Sequence, residues 1–283
     1  MNYLAHAVLA GPDPLLRLGG LMGDFVKGPL SPAPAHLPER LTQGLRLHRA
    51  IDAYAETHPA FRASRARVSP ERRRVAGIMV DLFYDHFLAR GWAAWPAAPG
   101  FAAFSGNVSL AATPGAVLAP PPASAETGVA ASPDHGIGTV DSGTAGIGAP
   151  TKRGCAQAAA TSVADRAAPE RDRPVVDLAT YCTATYALFA DHAALLPPRL
   201  AEVAPLMAAH DWLGSYAEAA TIALALDRMA ARRFSRPTPL AGGGIELLDD
   251  YDGFAADFRA FFADALDFAR QWRQREGLAE GGE

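Results

Sequence analysis

Outside its middle, the chain is dominated by apolar residues at helical spacing, interrupted by short polar or proline-containing breaks. Apolar positions recur every three or four residues over 1–95 and again from 178 onward, which is the spacing of helices with one buried face. No segment alternates apolar and polar residues over a length that would support a sheet. The pattern therefore predicts an all-α helical bundle.

The individual helices can be placed from their ends and their apolar stripes. Ser69, Pro70 and Glu71 form a typical helix start, and Gly91 marks the end of that helix. The pattern predicts helices over 41–58, 69–90, 178–196 and 245–272, and two helices between 199 and 233 that break near Asp211. The last helix carries phenylalanines at core spacing, namely Phe254, Phe258, Phe261, Phe262 and Phe268.

The composition of the middle segment differs sharply from that of its flanks. Residues 97–177 are rich in Ala, Gly, Pro, Ser and Thr, and no aromatic residue occurs between Phe104 and Tyr181. Such a segment buries too little apolar surface to offset its loss of conformational entropy. We therefore predict that 1–96 form the first half of a helical domain, that 97–177 are a disordered or weakly ordered insertion, and that 178–283 complete the same domain.

Composition and charge exclude several classes of protein. The chain has 283 residues, of which 49% are hydrophobic, enough for a sizeable core. A net charge of -4 argues against general nucleic-acid binding, and two cysteines are too few for a disulfide framework or a thiolate zinc site. We find no signal peptide and no apolar run of membrane-spanning length. These features predict a cytoplasmic protein without a membrane span.

The first candidate chemistry lies in the stretch VDLFYDHFL, residues 80–88. Asp81, Asp85 and His86 occur there in a predicted helix that is apolar on nearly every side, and such a helix is normally buried. An isolated buried charge is very unfavourable. These side chains must therefore be paired with other groups or bind a metal ion.

The helix before it carries a second group of this kind. His48 and Asp52 lie one turn apart at positions where the apolar stripe of 41–58 would place leucine. They could simply pair with each other, or His48 could be a hydrogen-bonded core histidine. Two such groups on successive helices instead favour a divalent metal site. His6 and Asp24 could join it, although His6 could equally be a buried structural residue and Asp24 an exposed turn residue.

A group of arginines precedes Asp81 along the chain. Arg72, Arg73 and Arg74 are consecutive, and Arg62 and Arg65 lie just upstream. A basic run of this kind is usually a solvated surface. A single helix over 69–90 would be about 30 Å long, so its first turn could contact only a remote part of a large acidic substrate.

Several motifs, taken together, resemble one known family. MNYLAH (1–6), GDFVKG (23–28), GLRLHRAID (44–52) and RRVAGIMVDLFYDHFLARGW (73–92) resemble, in order and spacing, the acyl carrier protein phosphodiesterases, and the likeness resumes at 181–199, 211–216 and 226–233. It covers about two thirds of the chain. Typical members are shorter by nearly the length of the middle segment.

The resemblance implies both a fold and an activity. The fold would be all-helical and distantly related to the HD-domain phosphohydrolases. The activity would be hydrolysis of the phosphodiester that joins 4'-phosphopantetheine to a serine of holo acyl carrier protein, with manganese or magnesium as cofactor. A metal would neutralise the phosphodiester and lower the pKa of the attacking water.

The resemblance also implies roles for individual residues. Asp24 matches an acidic residue of the family, and His48, Asp52, Asp81, Asp85 and His86 match motifs that resemble the HD metal set, with the adjacent Asp–His pair in reversed order. We expect metal ligands at Asp24, His48, Asp52, Asp81 and Asp85. We expect His6 to contact these ligands without binding the metal itself. We expect catalytic roles for Asp24, His86 and Arg49, with His86 orienting a group or transferring a proton. We expect carrier-protein docking at Arg62, Arg65, Arg72, Arg73 and Arg74.

Two other functions fit the same residues. The first is a metal-dependent phosphohydrolase of a nucleotide or another small phosphate ester, which substrate trials would separate. The second is a helical module that binds a carrier protein without chemistry. Metal titration addresses that alternative, because a true site is stabilised by its ion through mass action.

Overall fold

Most of the residues whose structure is described lie in helices. The structure is a computed structural model that describes residues 2–95, 176–233 and 238–278. These ranges contain no β-strand, which confirms the all-α class. Their α-helices are α1 Tyr3–Leu9, α2 Pro14–Met22, α3 Glu39–Thr57, α4 Pro59–Arg67, α5 Ala76–Arg90, α6 Leu178–Asp191, α7 Pro198–Ala209, α8 Trp212–Ser215, α9 Ala219–Arg233, α10 Gly244–Asp249 and α11 Tyr251–Arg275.

Three of the predicted helices are divided in the structure, and three helices rather than two lie between 198 and 233. The helix expected over 178–196 ends at Asp191 and is followed by a 3-10 turn, Ala193–Leu195. The helix expected over 69–90 begins with a separate 3-10 turn, Pro70–Val75, and the hydroxyl of Ser69 donates to Glu246 rather than capping that turn. The helix expected over 245–272 is split at Asp250, whose carboxylate accepts from the backbone N–H of Gly253. The predicted break near Asp211 is confirmed, and this residue has a left-handed backbone with φ 42°. Apart from 176 and 177, the predicted insertion 97–177 lies outside the described residues.

The core forms where α5 and α11 pack together. Phe83 and Tyr84 of α5 are fully buried. The ring of Phe254 lies 5.1 Å from that of Phe83, and the ring of Phe258 lies 5.4 Å from that of Tyr84. Burial of one such side chain contributes about 1.5–3 kcal/mol. The phenylalanine stripe of α11 is therefore core, as its spacing predicts.

Helices α2 and α3 cross at a pair of glycines. A Cβ atom on Gly19 would lie 2.3 Å from the carbonyl oxygen of Leu41, and one on Gly44 would lie 2.3 Å from the carbonyl oxygen of Leu16. A larger residue at either position would force the two backbones apart. This close crossing holds the N-terminal part of α3 against the middle of α2.

The first turn of α1 is fixed by a side chain from α5. A seven-residue helix is marginal in isolation, and Asn2 provides no side-chain cap. The backbone N–H groups of Leu4 and Ala5 instead donate to the two carboxyl oxygens of Asp85, each at 2.9 Å. Asp85 therefore caps the N-terminal end of α1, although it lies about 80 residues away in sequence.

The other end of α1 is fixed by two buried arginines. Arg273 donates to the carbonyl oxygen of Leu9 at 2.6 Å, and Arg17 donates to that of Gly11 at 3.0 Å. Positive side chains at the C-terminal end and an acidic one at the N-terminal end both suit the helix dipole. Helix α1 carries His6, so these anchors also set the position of that imidazole.

Candidate metal centre

The imidazole of His48 is held by the backbone of α2. Its Nδ1 lies 2.8 Å from the carbonyl oxygen of Gly20, which can only accept, so Nδ1 carries the hydrogen. The other nitrogen, Nε2, then points its lone pair or a second proton toward Asp52, whose Oδ2 lies 3.2 Å away. Gly23 makes room for the ring, because a Cβ atom there would lie 2.2 Å from Cγ of His48.

The second imidazole, that of His6, stacks on the first. The ring centroids of His6 and His48 lie 3.7 Å apart and the planes differ by 20°. Nε2 of His6 lies 3.2 Å from Oδ1 of Asp52, yet neither ring nitrogen of His6 makes a well-aligned hydrogen bond within the described part of the chain. Asp52 thus lies between two imidazole nitrogens. We call His6, His48 and Asp52 the histidine cluster.

The protonation states of the histidine cluster suit a cation. Burial, together with the neighbouring His48, lowers the pKa of His6 to about 3, so this imidazole is neutral at physiological pH. Burial alone would raise the pKa of Asp52, but its contacts with His48 and His6 outweigh that effect and hold the pKa well below its usual range. The cluster combines a neutral imidazole with an ionised carboxylate.

These donor atoms fit a divalent metal. One ligand atom each from His6, His48 and Asp52 lie within 4.8 Å of one another, and in the described ranges no other group of three or more His, Cys, Asp or Glu side chains is as close. Imidazole and carboxylate donors suit first-row ions such as manganese. The orientation of His48 by the Gly20 carbonyl is the support that metal-binding histidines normally have.

The mouth of the cluster is formed by the short turn that follows α2. Asp24 lies in the 3-10 turn Gly23–Phe25, with Oδ1 3.8 Å from Nε2 of His48. Its side chain is 56% exposed and that of Asp52 is 42% exposed, so the carboxylate side of the cluster opens to solvent. Arg49 donates to the carbonyl oxygen of Val26 at 3.0 Å and so ties α3 to the segment just after Asp24.

Asp81 approaches the cluster from α5. Its side chain is half-buried. Burial raises its pKa, and the negative charges of Asp52 and Asp24 raise it further. The charges of Asp52 and Asp24 therefore act on Asp81, and its predicted role as a metal ligand remains a prediction.

The remaining two candidates on α5 have other contacts. The two carboxyl oxygens of Asp85 accept hydrogen bonds from the first turn of α1. His86 lies near the carbonyl oxygen of Tyr216 through Nδ1, at 2.8 Å, and near the hydroxyl of Tyr251 through Nε2, at 2.9 Å. These contacts give both residues a structural role. Their predicted roles in metal binding and proton transfer remain predictions.

The arginines predicted to dock a carrier protein fall into two groups. Arg65 forms an ion pair with Glu56, and Arg72 forms one with Glu246 at 3.0 Å. Arg62, Arg73 and Arg74 are exposed, and over the described ranges they form no ion pair. The second group is the one whose charge is available to a partner.

His6 lies closer to Asp52 than the sequence indicates. The sequence predicts that it supports the metal ligands from outside the ligand set, whereas its Nε2 lies as near to Asp52 as that of His48 does. The available signal was a single imidazole in the otherwise apolar stretch MNYLAHAVLA. That signal could not show which element α1 packs against.

The family of the chain follows from its sequence match. The family model described as "Acyl carrier protein phosphodiesterase" matches residues 1–125 and 172–265, well over half of the chain. The chain belongs to the acyl carrier protein phosphodiesterase family. All residues of the histidine cluster, and Asp24 and Asp81, lie in the first matched block. Residues 126–171 fall between the two blocks.

Curated acyl carrier protein phosphodiesterases resemble part of the chain. The protein of that name from Serratia proteamaculans (strain 568) is 46% identical over 92 residues. Those from Yersinia enterocolitica and Salmonella agona are 40% and 41% identical over the same length. Each alignment covers 32% of this chain and 46% of the relative. The chain thus spans about half the length of the curated relatives it matches.

A search of solved structures and the lengths of the helices give two further findings. No solved structure matches the chain. Over 2–95, 176–233 and 238–278, no helix combines the length and the apolar character that a membrane crossing requires.

Proposed function

We propose that this chain is a metal-dependent phosphodiesterase that removes 4'-phosphopantetheine from holo acyl carrier protein in the cytoplasm. The observation that carries the proposal is the histidine cluster, with its imidazole and carboxylate donors gathered in a member of the acyl carrier protein phosphodiesterase family. The two cysteines of the chain accord with a reducing compartment. The carrier-protein substrate is the one named by the curated relatives.

His6, His48 and Asp52 would hold the metal, with Asp24 completing the set from the solvent side. Manganese suits this mixture of imidazole and carboxylate donors, and magnesium is the alternative. When bound, the ion would lower the pKa of a water molecule and neutralise charge on the phosphoryl group. Asp81 would contribute its charge from the adjacent helix.

The residues around the cluster have defined tasks in the hydrolysis. A water oxygen adds to phosphorus, the bond between phosphorus and the serine oxygen breaks, and the serine oxygen takes up a proton. Asp24, exposed at the mouth and near His48, orients the water and accepts its proton. Arg49, anchored to the Val26 carbonyl, uses its remaining N–H groups to bind phosphoryl oxygens. The products are 4'-phosphopantetheine and apo carrier protein.

The proposal is tested by intact-mass spectrometry of holo acyl carrier protein incubated with the enzyme and manganese. We expect loss of the phosphopantetheine mass with wild-type enzyme, and no loss with a chelator or with Asp24→Ala. Asp191→Ala is the matched control, because Asp191 is an exposed aspartate at the end of α6. This control should retain the activity of the wild type.

Each failure would have a different meaning. Full turnover by Asp24→Ala would remove this residue from the mechanism. An unchanged carrier protein, with a folded enzyme that binds manganese, would instead favour hydrolysis of a nucleotide or another small phosphate ester. A folded enzyme that gains no thermal stability from manganese would favour a non-catalytic carrier-binding module.

A further inference from the structure

Helix α5 is buried along its length except for one narrow face. Between Ala76 and Ala89 the residues that are not buried are Gly77, Ile78 and Asp81. Positions three and four apart lie on the same side of a helix, so these three residues share one face, about 6 Å long at 1.5 Å per residue. We call this the open face of α5.

The two ends of the open face differ in chemistry. Asp81 lies at one end, one helical turn before Asp85, whose carboxyl oxygens accept from the backbone of Leu4 and Ala5 next to His6 of the candidate metal centre. Arg73 and Arg74 lie beyond the other end, in the 3-10 turn that leads into α5, and both are exposed. Arg74 precedes Asp81 by seven residues, about 11 Å along the helix.

Gly77 leaves a gap at the N-terminal end of this face. Glycine in a helix is generally less favourable than alanine. A Cβ atom at Gly77 would meet nothing within 4 Å, so no contact of the described structure explains the small residue. At Gly19 and Gly23, in contrast, a Cβ atom would collide with the neighbouring element. An open glycine instead suits the close approach of a partner from outside.

We propose that the open face of α5, together with Arg73 and Arg74, is the surface on which an acidic acyl carrier protein docks. The proposal deepens the proposed function and rests on it for the identity of the partner. The phosphorus atom to be attacked is bonded directly to a carrier-protein serine, so the carrier surface must cover the enzyme surface next to the metal centre. The open face is the part of α5 that adjoins it.

Each residue of the surface has a task in this docking. Gly77 admits the carrier backbone close to α5, and the half-buried Ile78 offers an apolar contact at the centre. Arg73 and Arg74 attract acidic side chains of the carrier, since their charge is not used in an ion pair within the described ranges. Arg65 and Arg72 are already paired internally, so they contribute less to docking than the sequence predicts.

The experiment measures the Kd for a bacterial acyl carrier protein in its apo form, which lacks the phosphopantetheine arm. Gly77→Leu and Arg74→Glu should each weaken binding by about tenfold or more, as expected for residues that contact the partner directly and contribute strongly to binding. The matched controls are Ala201→Leu and Arg199→Glu, which make the same kinds of change at exposed positions of α7. They should bind as the wild type does.

The outcomes separate docking from catalysis. Weaker binding of the holo form but unchanged binding of the apo form would mean that the arm, not the carrier surface, lies on α5, and would overturn the proposal. Undetectable apo binding by the wild type would overturn it as well. Weaker apo binding by both variants would uphold the docking surface even if the wild type failed to hydrolyse the holo form, a result that would count against the proposed function alone.

Discussion

Two neighbouring histidine–aspartate groups differ in how much of their bonding capacity is already used. On α5, both oxygens of Asp85 accept from the start of α1, and both nitrogens of His86 lie within hydrogen-bond distance of protein oxygens. In the histidine cluster, Nδ1 of His48 is used by a carbonyl, while Nε2 faces a carboxylate. The first group stabilises the fold, and the second retains donor atoms for a ligand.

The difference shows that burial alone does not identify a site. Buried polar groups normally find partners within the protein, and the α5 group follows that rule. The ring nitrogens of His6 depart from it, because they are buried without a well-aligned hydrogen bond among the described residues, and a metal ion would relieve this departure.

The largest effect on activity is expected at Asp52. Asp52→Ala should lower kcat/KM for holo carrier protein by more than about 100-fold, which exceeds the usual effect of removing a group that only supports a ligand. It should also weaken manganese binding, measured by calorimetric titration. A variant that binds manganese as tightly as Asp191→Ala would contradict the assignment of the cluster.

The pH dependence of stability tests Asp85. Burial raises the pKa of this carboxyl from 3.8 to about 7 in the folded protein, against the effect of its hydrogen bonds from Leu4 and Ala5. The folded state therefore holds the proton more tightly than the unfolded state does. The stabilisation is fully present below about pH 4 and is lost as the pH rises through about 7.

We expect the free energy of unfolding of the wild type to fall relative to Asp85→Asn over this range, by up to about 1.4 kcal/mol per pH unit. Urea unfolding of both proteins at several pH values measures the difference. Parallel curves for the two proteins would show that Asp85 keeps an ordinary pKa.

A smaller effect is expected at His86. His86→Phe removes a partner from the Tyr216 carbonyl and from the Tyr251 hydroxyl, which should lower the free energy of unfolding by about 1–3 kcal/mol. Because its nitrogens are directed at these groups, manganese affinity should not change. A large loss of kcat in a variant that remains folded would instead support the proton-transfer role predicted from the sequence.

The sequence predicts the elements of this protein better than their contacts. The helical class, the core stripe of α11 and the break at Asp211 follow from local spacing and are confirmed. The split at Asp250 could not be foreseen, because it depends on one side chain capping a new helix.

The candidate site was predictable only in part for the same reason. His48 and Asp52 share one helix, so their spacing in sequence already brings them together. The approach of His6 depends on the packing of α1 against the rest of the fold, and the use of Asp85 as a remote cap depends on a contact between positions 81 residues apart. Spacing along the chain carries no information about such contacts.

The anchor of α1 by Arg273 also orders events during synthesis. His6 leaves the ribosome early, but Arg273 is made 264 residues after Leu9, the residue whose carbonyl it binds. At about 5–20 residues per second this interval is roughly 13–50 s. A nascent chain would therefore contain His48 and Asp52 well before the helix that carries His6 can gain its last anchor.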